Sequence, residues 1–356
     1  MRTFSFTNMI LGVLFLSGCV DQIDFERGDT EVLLVVEGRK TMGKSPTAIR
    51  LRWSAPYGID DNEPVSFAQI SMFNEQGDAE YFEEDPLKPG TYISSGEMIT
   101  GIPGQAYFIE IKLESGQTYR SVPDTMPYFL PLHQVYFDLT EYEFFNEYGF
   151  PVKKDRIRVF VNSSFPTIKN GPYFRWEVKD VWSFNEVLKP WDPLFYPKTC
   201  YIEEVTSPQY IPLFNGDIQE TNQIEGQMVG FRDINYSFLE KHYFNVYQIA
   251  LSAEGYAYWE RLNRVTNQVG NIFDAPPATV RGNMYNVDNP NEIVLGFFET
   301  AAIDTARFFT LPQDFSGIPI YDICEPDYRF TPPRFNDVCD NCLQIRNSTL
   351  KRPDYF

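Results

Sequence analysis

The sequence predicts a mostly β fold: an N-terminal immunoglobulin-like β-sandwich, followed by a second β-rich domain that carries one clear helix. Aromatic residues make up 16% of the 356 residues, prolines number 26, and only 22% of the residues are charged. Aromatic side chains favour strands, whereas frequent prolines interrupt helices. About seven short alternating segments between residues 31 and 122 match the strand number of an immunoglobulin-like sandwich.

The strands of the N-terminal sandwich (31–122) follow from the alternation of apolar and polar residues. In the segments 32–37 and 48–53, every second side chain lies on one face. Further strands are predicted over 65–73, 81–82, 90–93, 106–113 and 117–121. Pro123, Pro127 and Pro131 then mark a linker over 123–131.

The second β-rich domain is predicted over 132–356, with strands over 133–139, 156–162 and 173–181 and a late hairpin over 293–298 and 306–311. Its helix is expected near 253–269, because Ser252 can cap the start and Gly270 can end it. Trp259 and Leu262 lie on its apolar face. A proline-broken aromatic loop is predicted over 182–197, and a cysteine-containing tail ends the domain.

Residues 1–18 have the pattern of a lipoprotein signal peptide. Arg2 supplies a positive charge, an apolar stretch covers 9–16, and Leu16-Ser17-Gly18-Cys19 resembles the bacterial lipobox. Cys19 is therefore the expected acyl acceptor and first residue of the mature chain, with a tether over 19–30. The attached lipid would anchor the protein to a membrane without crossing it. The alternative is a buried strand with an incidental cysteine.

The charge of the chain restricts its partners and its location. With 30 basic and 49 acidic residues, the formal net charge is -19, which repels phosphate backbones and predicts no nucleic-acid partner. Asp21, Asp24 and Glu26 resemble the surface-export signal of Bacteroidetes lipoproteins, although a solvated acidic tether is the alternative. The expected location is the outer membrane, lipid-anchored and facing the cell surface.

Four cysteines remain once Cys19 carries lipid, and an even number beyond the inner membrane predicts disulfides. Cys339 and Cys342 pair either with each other or each with one of Cys200 and Cys324. The CxxC spacing also fits a redox or half a zinc site, but the βαβ context and further ligands that such sites need are not evident. We therefore expect the tail cysteines to form structural disulfides, which we call staples, that hold the tail in place.

The sequence predicts no catalytic residues, metal or cofactor. A Ser-His-Asp site would have to use His133 or His242, and neither lies near a GxSxG motif. The acidic segments 60–63 and 83–85 offer oxygen ligands for calcium, with solvated loops as the alternative.

Two further groups of residues are candidate sites. Trp182, Trp191, Phe195 and Tyr196 are predicted to contact a partner or ligand, because aromatic faces stack on sugars and anchor proteins. The equally weighted alternative is that they pack beneath the second domain. Thr125 and Thr305 each follow an aspartate, in a pattern that resembles the Bacteroidetes O-glycosylation motif.

Several segments resemble the Bacteroidetes lipoprotein family known as domain of unknown function 4249. The tail differs from the family pattern Lys-Pro-Asp-Phe-Trp, because Arg352 is inserted and the aromatic residues are Tyr355 and Phe356. The resemblance rests on the segments 34–38, 119–121, 256–262, 273–277, 281–286, 294–298, 339–342 and 351–356.

This resemblance implies an outer-membrane lipoprotein encoded beside a TonB-dependent receptor, with a role in nutrient capture and no catalytic residues. The expected partner is that receptor, and a small-molecule or glycan ligand is compatible with this role. A structural or adhesive surface module is the first alternative, and a surface hydrolase is the second.

Overall fold

The fold is described from a computed structural model, which covers residues 32–55, 63–167, 171–189, 191–192, 194–267, 279–332 and 334–356. Strands dominate this part of the chain, so the predicted mostly β fold is confirmed. The strands are β1 (Leu34–Thr41), β2 (Ala48–Trp53), β3 (Gln69–Asn74), β4 (Ala79–Glu84), β5 (Thr91–Ser94), β6 (Ala106–Lys112), β7 (Thr118–Ser121), β8 (Asp124–Thr125), β9 (Gln134–Phe145), β10 (Pro151–Ser164), β11 (Tyr173–Asn185), β12 (Thr199–Val205), β13 (Leu213–Asn215), β14 (Gln223–Asp233), β15 (His242–Leu251), β16 (Met284–Asn286), β17 (Leu295–Thr310) and β18 (Ser348–Thr349). The α-helices are α1 (Ala253–Thr266) and α2 (Asp337–Asp340).

The N-terminal half forms a β-sandwich from strands that alternate as the sequence predicts. One sheet contains β1, β2 and β5, and the other contains β3, β6 and β7, while β4 pairs with both β3 and β5. Val36 and Leu51 of the first sheet and Ile70 and Ile109 of the second are buried in a common core. Burial of this apolar surface is the main force that holds the two sheets together.

Strand β17 joins the two halves of the molecule. Its residues 295–301 pair in parallel with β1, and its residues 302–310 pair antiparallel with β15. The predicted late hairpin over 293–298 and 306–311 is therefore wrong, because one 16-residue strand runs through both segments. Strand β16 also comes from the late part of the chain and pairs with β7. Late residues thus complete the N-terminal sheets.

The second half is also a β-sandwich. Strands β17, β15, β11 and β12 form one sheet, and the three-stranded sheet β14-β10-β9 packs against it. Its core includes Val159 from the smaller sheet and Trp176 and Phe244 from the larger one. Two neighbouring strands of the larger sheet, β11 and β15, are buried on both faces along much of their length, which hides the alternation that marks a strand.

Helix α1 begins where the sequence predicts. The Ser252 hydroxyl accepts a hydrogen bond from the Gly255 backbone N–H, as expected of an N-cap. The helix ends at Thr266 with Asn267 as its C-cap, and residues 268–269 of the predicted range lie outside the described residues. Among the described residues, no helix has the length and apolar character needed to cross a bilayer.

Candidate functional site

One disulfide fixes the C-terminal tail to the second sandwich, and another closes a loop within the tail. Cys200 on β12 is bonded to Cys342, and Cys324 is bonded to Cys339 on α2. The predicted disulfides are confirmed, and the two cysteines of the CxxC motif pair with distant partners rather than with each other. All four cysteine side chains are buried, and they belong to one small hydrophobic core with Trp182, Phe184 and Ile202. The motif is a structural staple.

Trp182 lies beneath this staple and not on a loop. Strand β11 continues to Asn185, and only 2% of Trp182 is exposed. Its ring packs edge-on against Tyr236, with the ring centres 5.6 Å apart, and against Phe184 at 6.2 Å. The prediction that Trp182 contacts a partner is therefore wrong, because a buried ring offers no surface; for this residue the packing alternative holds.

The other three predicted aromatic residues lie on the loop that follows β11. Trp191 is 45% exposed, Tyr196 is exposed and Phe195 is half-buried, with the Lys189 ammonium 4.5 Å from the centre of its ring. The Trp191 ring lies parallel to Phe335 of the tail, at 6.1 Å between ring centres. We call the set Trp191, Leu194, Phe195, Tyr196 and Phe335 the stapled aromatic surface.

Polar contacts hold the loop and the tail together as one unit. The buried Glu186 carboxylate accepts hydrogen bonds from the backbone N–H groups of Lys198 (2.9 Å) and Cys342 (3.1 Å). The Lys189 ammonium lies 2.8 Å from the Asp340 carboxylate, and the Val187 N–H donates to the Cys339 carbonyl. Because these contacts order the loop before any partner arrives, binding there would cost less conformational entropy.

A groove of about 590 Å³ lies beside this surface. Trp191 and Phe335 form part of its wall, and Phe330, Arg334 and Asp337 complete the side nearest the tail. Aromatic faces together with a cation and a carboxylate offer both stacking and hydrogen bonding to a ligand.

A second cluster of charged residues lies where the two sandwiches meet. The buried Glu299 carboxylate on β17 accepts hydrogen bonds from the Arg39 guanidinium and from the Trp259 indole N–H (2.8 Å). Arg175 lies 3.6 Å from the same carboxylate and 4.0 Å above the Trp259 ring. Burial alone would raise the pKa of Glu299, but the two arginines and the indole outweigh it and hold that pKa below its usual value.

This junction also has a cleft of about 290 Å³, lined in part by Gly38, Tyr258 and Phe297. Three of the segments that carry the family resemblance, 34–38, 256–262 and 294–298, meet there. In the cluster beside the cleft, the Glu299 carboxylate is paired and fastens α1 and β1 to β17, whereas Nε and Nη2 of the buried Arg175 have no hydrogen-bond partner among the described residues. The role of the cluster is to join the two sandwiches.

The two histidines have structural partners. His242 is fully buried, with Nε2 2.9 Å from an Asp180 carboxylate oxygen and Nδ1 3.0 Å from the Ser237 carbonyl oxygen. His133 Nδ1 accepts a hydrogen bond from the Ser164 N–H (3.1 Å). A buried imidazole cannot reach a substrate in this conformation, so His242 is part of the core.

Among the described residues, no group of three or more His, Cys, Asp or Glu side chains is arranged to hold a metal ion. Within the predicted acidic segments, residues 60–62 lie outside the described residues. Glu84 instead accepts hydrogen bonds from the Phe67 and Gly90 backbone N–H groups, and it serves the local turn.

The remaining predicted residues are Cys19, Thr125 and Thr305. Cys19 lies outside the described residues, while Thr125 and Thr305 are both exposed on strands. The aspartate before Thr125 is buried, and its carboxylate accepts hydrogen bonds from the Thr300 N–H (2.7 Å) and hydroxyl (2.9 Å). Glycosylation at both threonines stays a prediction.

Comparison with known protein families identifies the family of this chain. The family model described as Domain of unknown function (DUF4249) matches residues 20–307. The matched residues include most of both sandwiches and end at Arg307, three residues before the end of β17. Three of the four disulfide cysteines lie beyond the matched residues. No curated protein matches the chain significantly. Because the match covers most of its length, the chain belongs to the DUF4249 family.

Proposed function

We propose that this protein is a non-enzymatic outer-membrane lipoprotein of Bacteroidetes that faces the cell surface and serves a TonB-dependent transporter in nutrient uptake. In this proposal, lipid on Cys19 anchors the chain, and residues 19–30 form an acidic tether. The observation that carries the binding role is the stapled aromatic surface. Soluble proteins seldom leave such apolar side chains bare unless a partner or ligand covers them.

The construction of that surface favours a protein partner. Trp191 and Tyr196 belong to the residue types that most often dominate binding energy at interfaces. Two disulfides and the Glu186 hydrogen bonds hold the loop in place, so binding would require little reordering. A glycan or small-molecule ligand in the groove beside Trp191 is the second candidate, supported by the exposed indole at its wall.

The charged clusters give less support to hydrolysis. A glycoside hydrolase needs two carboxyl groups flanking an accessible bond. Burial raises the pKa of Asp124 to about 6, but this carboxyl is occupied by Thr300 and is almost fully covered. Glu299 is likewise buried among its cations.

The test is affinity purification of the full lipidated chain from detergent-extracted membranes. We expect a TonB-dependent transporter to be recovered in nearly equal amount. The Cys19→Ala chain is the matched control, because loss of the acyl acceptor should mislocalise the protein and remove the transporter from the eluate. Recovery of no barrel protein above the level of this control contradicts the proposal.

A further inference from the structure

The hairpin between β9 and β10 extends beyond the sandwich as a two-stranded arm. Strand β14 pairs with β10 only over residues 156–164, and Arg156↔Asp233 is the last pair. Just beyond it, the Ile234 N–H still donates to the Asp155 carbonyl, and β9 and β10 then pair with each other alone from Tyr142↔Lys154 to Phe145↔Pro151. We call residues 141–155 the arm. A ribbon of two strands has no third strand and no opposing sheet to cover its side chains.

The tip of the arm exposes three large aromatic side chains. Phe145 is 71% exposed, Tyr148 is 75% exposed and Phe150 is 66% exposed. Single exposed apolar residues are common on protein surfaces, but three within six residues at the end of a projecting ribbon form a patch. Nothing in the described part of the chain covers this patch.

Hydrogen bonds hold the tip in a defined conformation. The Asn146 side-chain oxygen accepts from the backbone N–H groups of Tyr148 (3.0 Å) and Phe150 (2.9 Å). The Asn146 N–H donates to the Phe150 carbonyl, and Gly149 has the positive φ of 77° that the turn requires. The aromatic side chains are therefore presented on an ordered turn.

The base of the arm is fixed as well. The Arg156 guanidinium donates to the Asp233 carboxylate at 2.9 Å and lies 3.8 Å above the Tyr142 ring and 4.2 Å above the Phe231 ring. The Tyr142 hydroxyl donates to the same carboxylate at 2.8 Å. The arm thus has a rigid attachment to the sandwich.

The arm points away from Val32, where the described part of the chain begins. Strand β17 begins beside Val35, and Phe308 near its other end stacks on Phe137 of β9, with the ring centres 5.8 Å apart. The Leu132 N–H bonds to Asp304, so β9 runs in the same direction as β17. At ~3.3 Å per residue, the path from the start of β17 to the tip is roughly 70 Å.

Charge at the tip favours a protein over a lipid surface. Glu147 lies between Phe145 and Tyr148, is exposed and has no ion-pair partner among the described residues. The whole chain carries a formal net charge of -19. An anionic bilayer surface would repel such a tip, whereas Lys or Arg side chains around an apolar pocket would attract it.

We propose that the arm is a docking element whose three aromatic side chains insert into an apolar socket with a cationic rim on a protein partner. The identification of that partner as the transporter rests on the proposed function, but the role of the arm does not.

Photo-crosslinking locates the contact. Benzoylphenylalanine replaces Tyr148 in the lipidated chain, and the control carries it at Tyr81, which is 73% exposed on β4. After irradiation of intact cells, position 148 should give one protein adduct, and the crosslinked peptide should lie in an apolar pocket flanked by Lys or Arg. An adduct with lipid, or no protein adduct above the level at position 81, overturns the proposal.

Substitution measures the contribution of the tip. The triple change Phe145→Ser, Tyr148→Ser and Phe150→Ser should weaken binding to the crosslinked partner by at least about 30-fold. The melting temperature should stay unchanged, because these side chains are exposed. Glu147→Lys should weaken binding at low salt and less so at high salt. If the triple variant binds the partner as tightly as the wild-type protein does, the proposed docking role of the arm is refuted.

The two proposals fail separately. If position 148 crosslinks to a protein other than a transporter and affinity purification recovers no transporter above the Cys19→Ala control, the proposed function fails and the arm proposal stands. If a transporter is recovered by affinity purification but the triple variant still binds it, the arm proposal fails and the proposed function stands.

Discussion

Replacing Trp191 by alanine should weaken partner binding, and it should reduce fold stability by less than the loss of a core tryptophan does. The side chain is 45% exposed, so about half of its roughly 250 Å² is buried against Phe335 and the loop. At about 25 cal/mol per Å², this burial contributes at most about 3 kcal/mol to the free energy of unfolding. Compactness of the denatured chain lowers the expected loss by roughly 10–40%, to about 2–3 kcal/mol.

The affinity for the partner should fall as well, which a purely structural role of this side chain would not produce. A tryptophan at the centre of an interface contributes about 2 kcal/mol or more, which is a loss of about 30-fold in affinity. The measurement is titration of the purified transporter with the wild-type protein and the Trp191→Ala variant. Chemical denaturation of the same two samples gives the difference in the free energy of unfolding.

Trp182→Ala is the matched control for a core tryptophan. Its ring is covered by Tyr236 and Phe184, so the substitution should cost about 3–5 kcal/mol of unfolding free energy. If Trp191→Ala destabilises the fold as much as Trp182→Ala does, the loop is part of the core. If Trp191→Ala changes affinity by less than two-fold, the stapled aromatic surface is not the contact.

Three further predictions concern the staples and the buried carboxyl groups. Under the chain-entropy model, Cys342→Ser opens the bridge with a sequence separation of 142 and should lower the free energy of unfolding by about 5 kcal/mol. Cys324→Ser opens the bridge with a separation of 15 and should lower it by about 3 kcal/mol. Chemical denaturation of both variants measures the two losses, and a larger loss for Cys324→Ser contradicts the reasoning. Glu299→Gln leaves the buried Arg175 and the half-buried Arg39 without this carboxylate and should cost about 3–5 kcal/mol in the same assay, so a loss below about 1 kcal/mol would show that the cluster is dispensable. Burial raises the pKa of Asp124 to about 6, above its unfolded value near ~3.9, so its ionisation destabilises the fold as pH rises between those values. Relative to Asp124→Asn, the wild-type protein should therefore lose up to about 3 kcal/mol of stability from pH 4 to pH 7, and parallel stability curves for the two proteins refute this.

The alternation of apolar and polar residues was enough to predict the β class. The apolar face and the capping residue Ser252 were enough to predict where α1 begins. Alternation was not enough to predict β17, because the middle of this strand contains polar residues that are satisfied by distant partners. Glu299 is paired with Arg39, 260 residues away, and Thr300 is bonded to Asp124, 176 residues away. A polar segment between two apolar runs therefore resembled a turn, although tertiary contacts make it the centre of a strand.

The candidate site was predictable only in part. Trp191, Phe195 and Tyr196 do lie on the predicted loop, whereas Trp182 was misplaced because the packing of the tail against β11 hides the period of the strand. Sequence spacing could not choose the cysteine pairing, which depends on the path of the tail across β12 and its short strand β18.

The arm was not predicted at all, although the sequence does contain a signal for it. Asn146 and Gly149 lie between aromatic residues at the centre of two alternating segments, which is typical of a hairpin turn with an exposed tip. The length of the projection depends on where β14 ends, and this is a property of the sheet that local sequence does not show.

The most direct test of the central claim is the composition of the complex that this protein forms in intact cells. Cells are treated with a cleavable crosslinker, the outer membrane is extracted, and the mass and components of the purified complex are measured. Our account predicts a complex of one TonB-dependent transporter with this chain, lipidated at Cys19. A chain without lipid, or a lipidated chain recovered without a transporter, would contradict it.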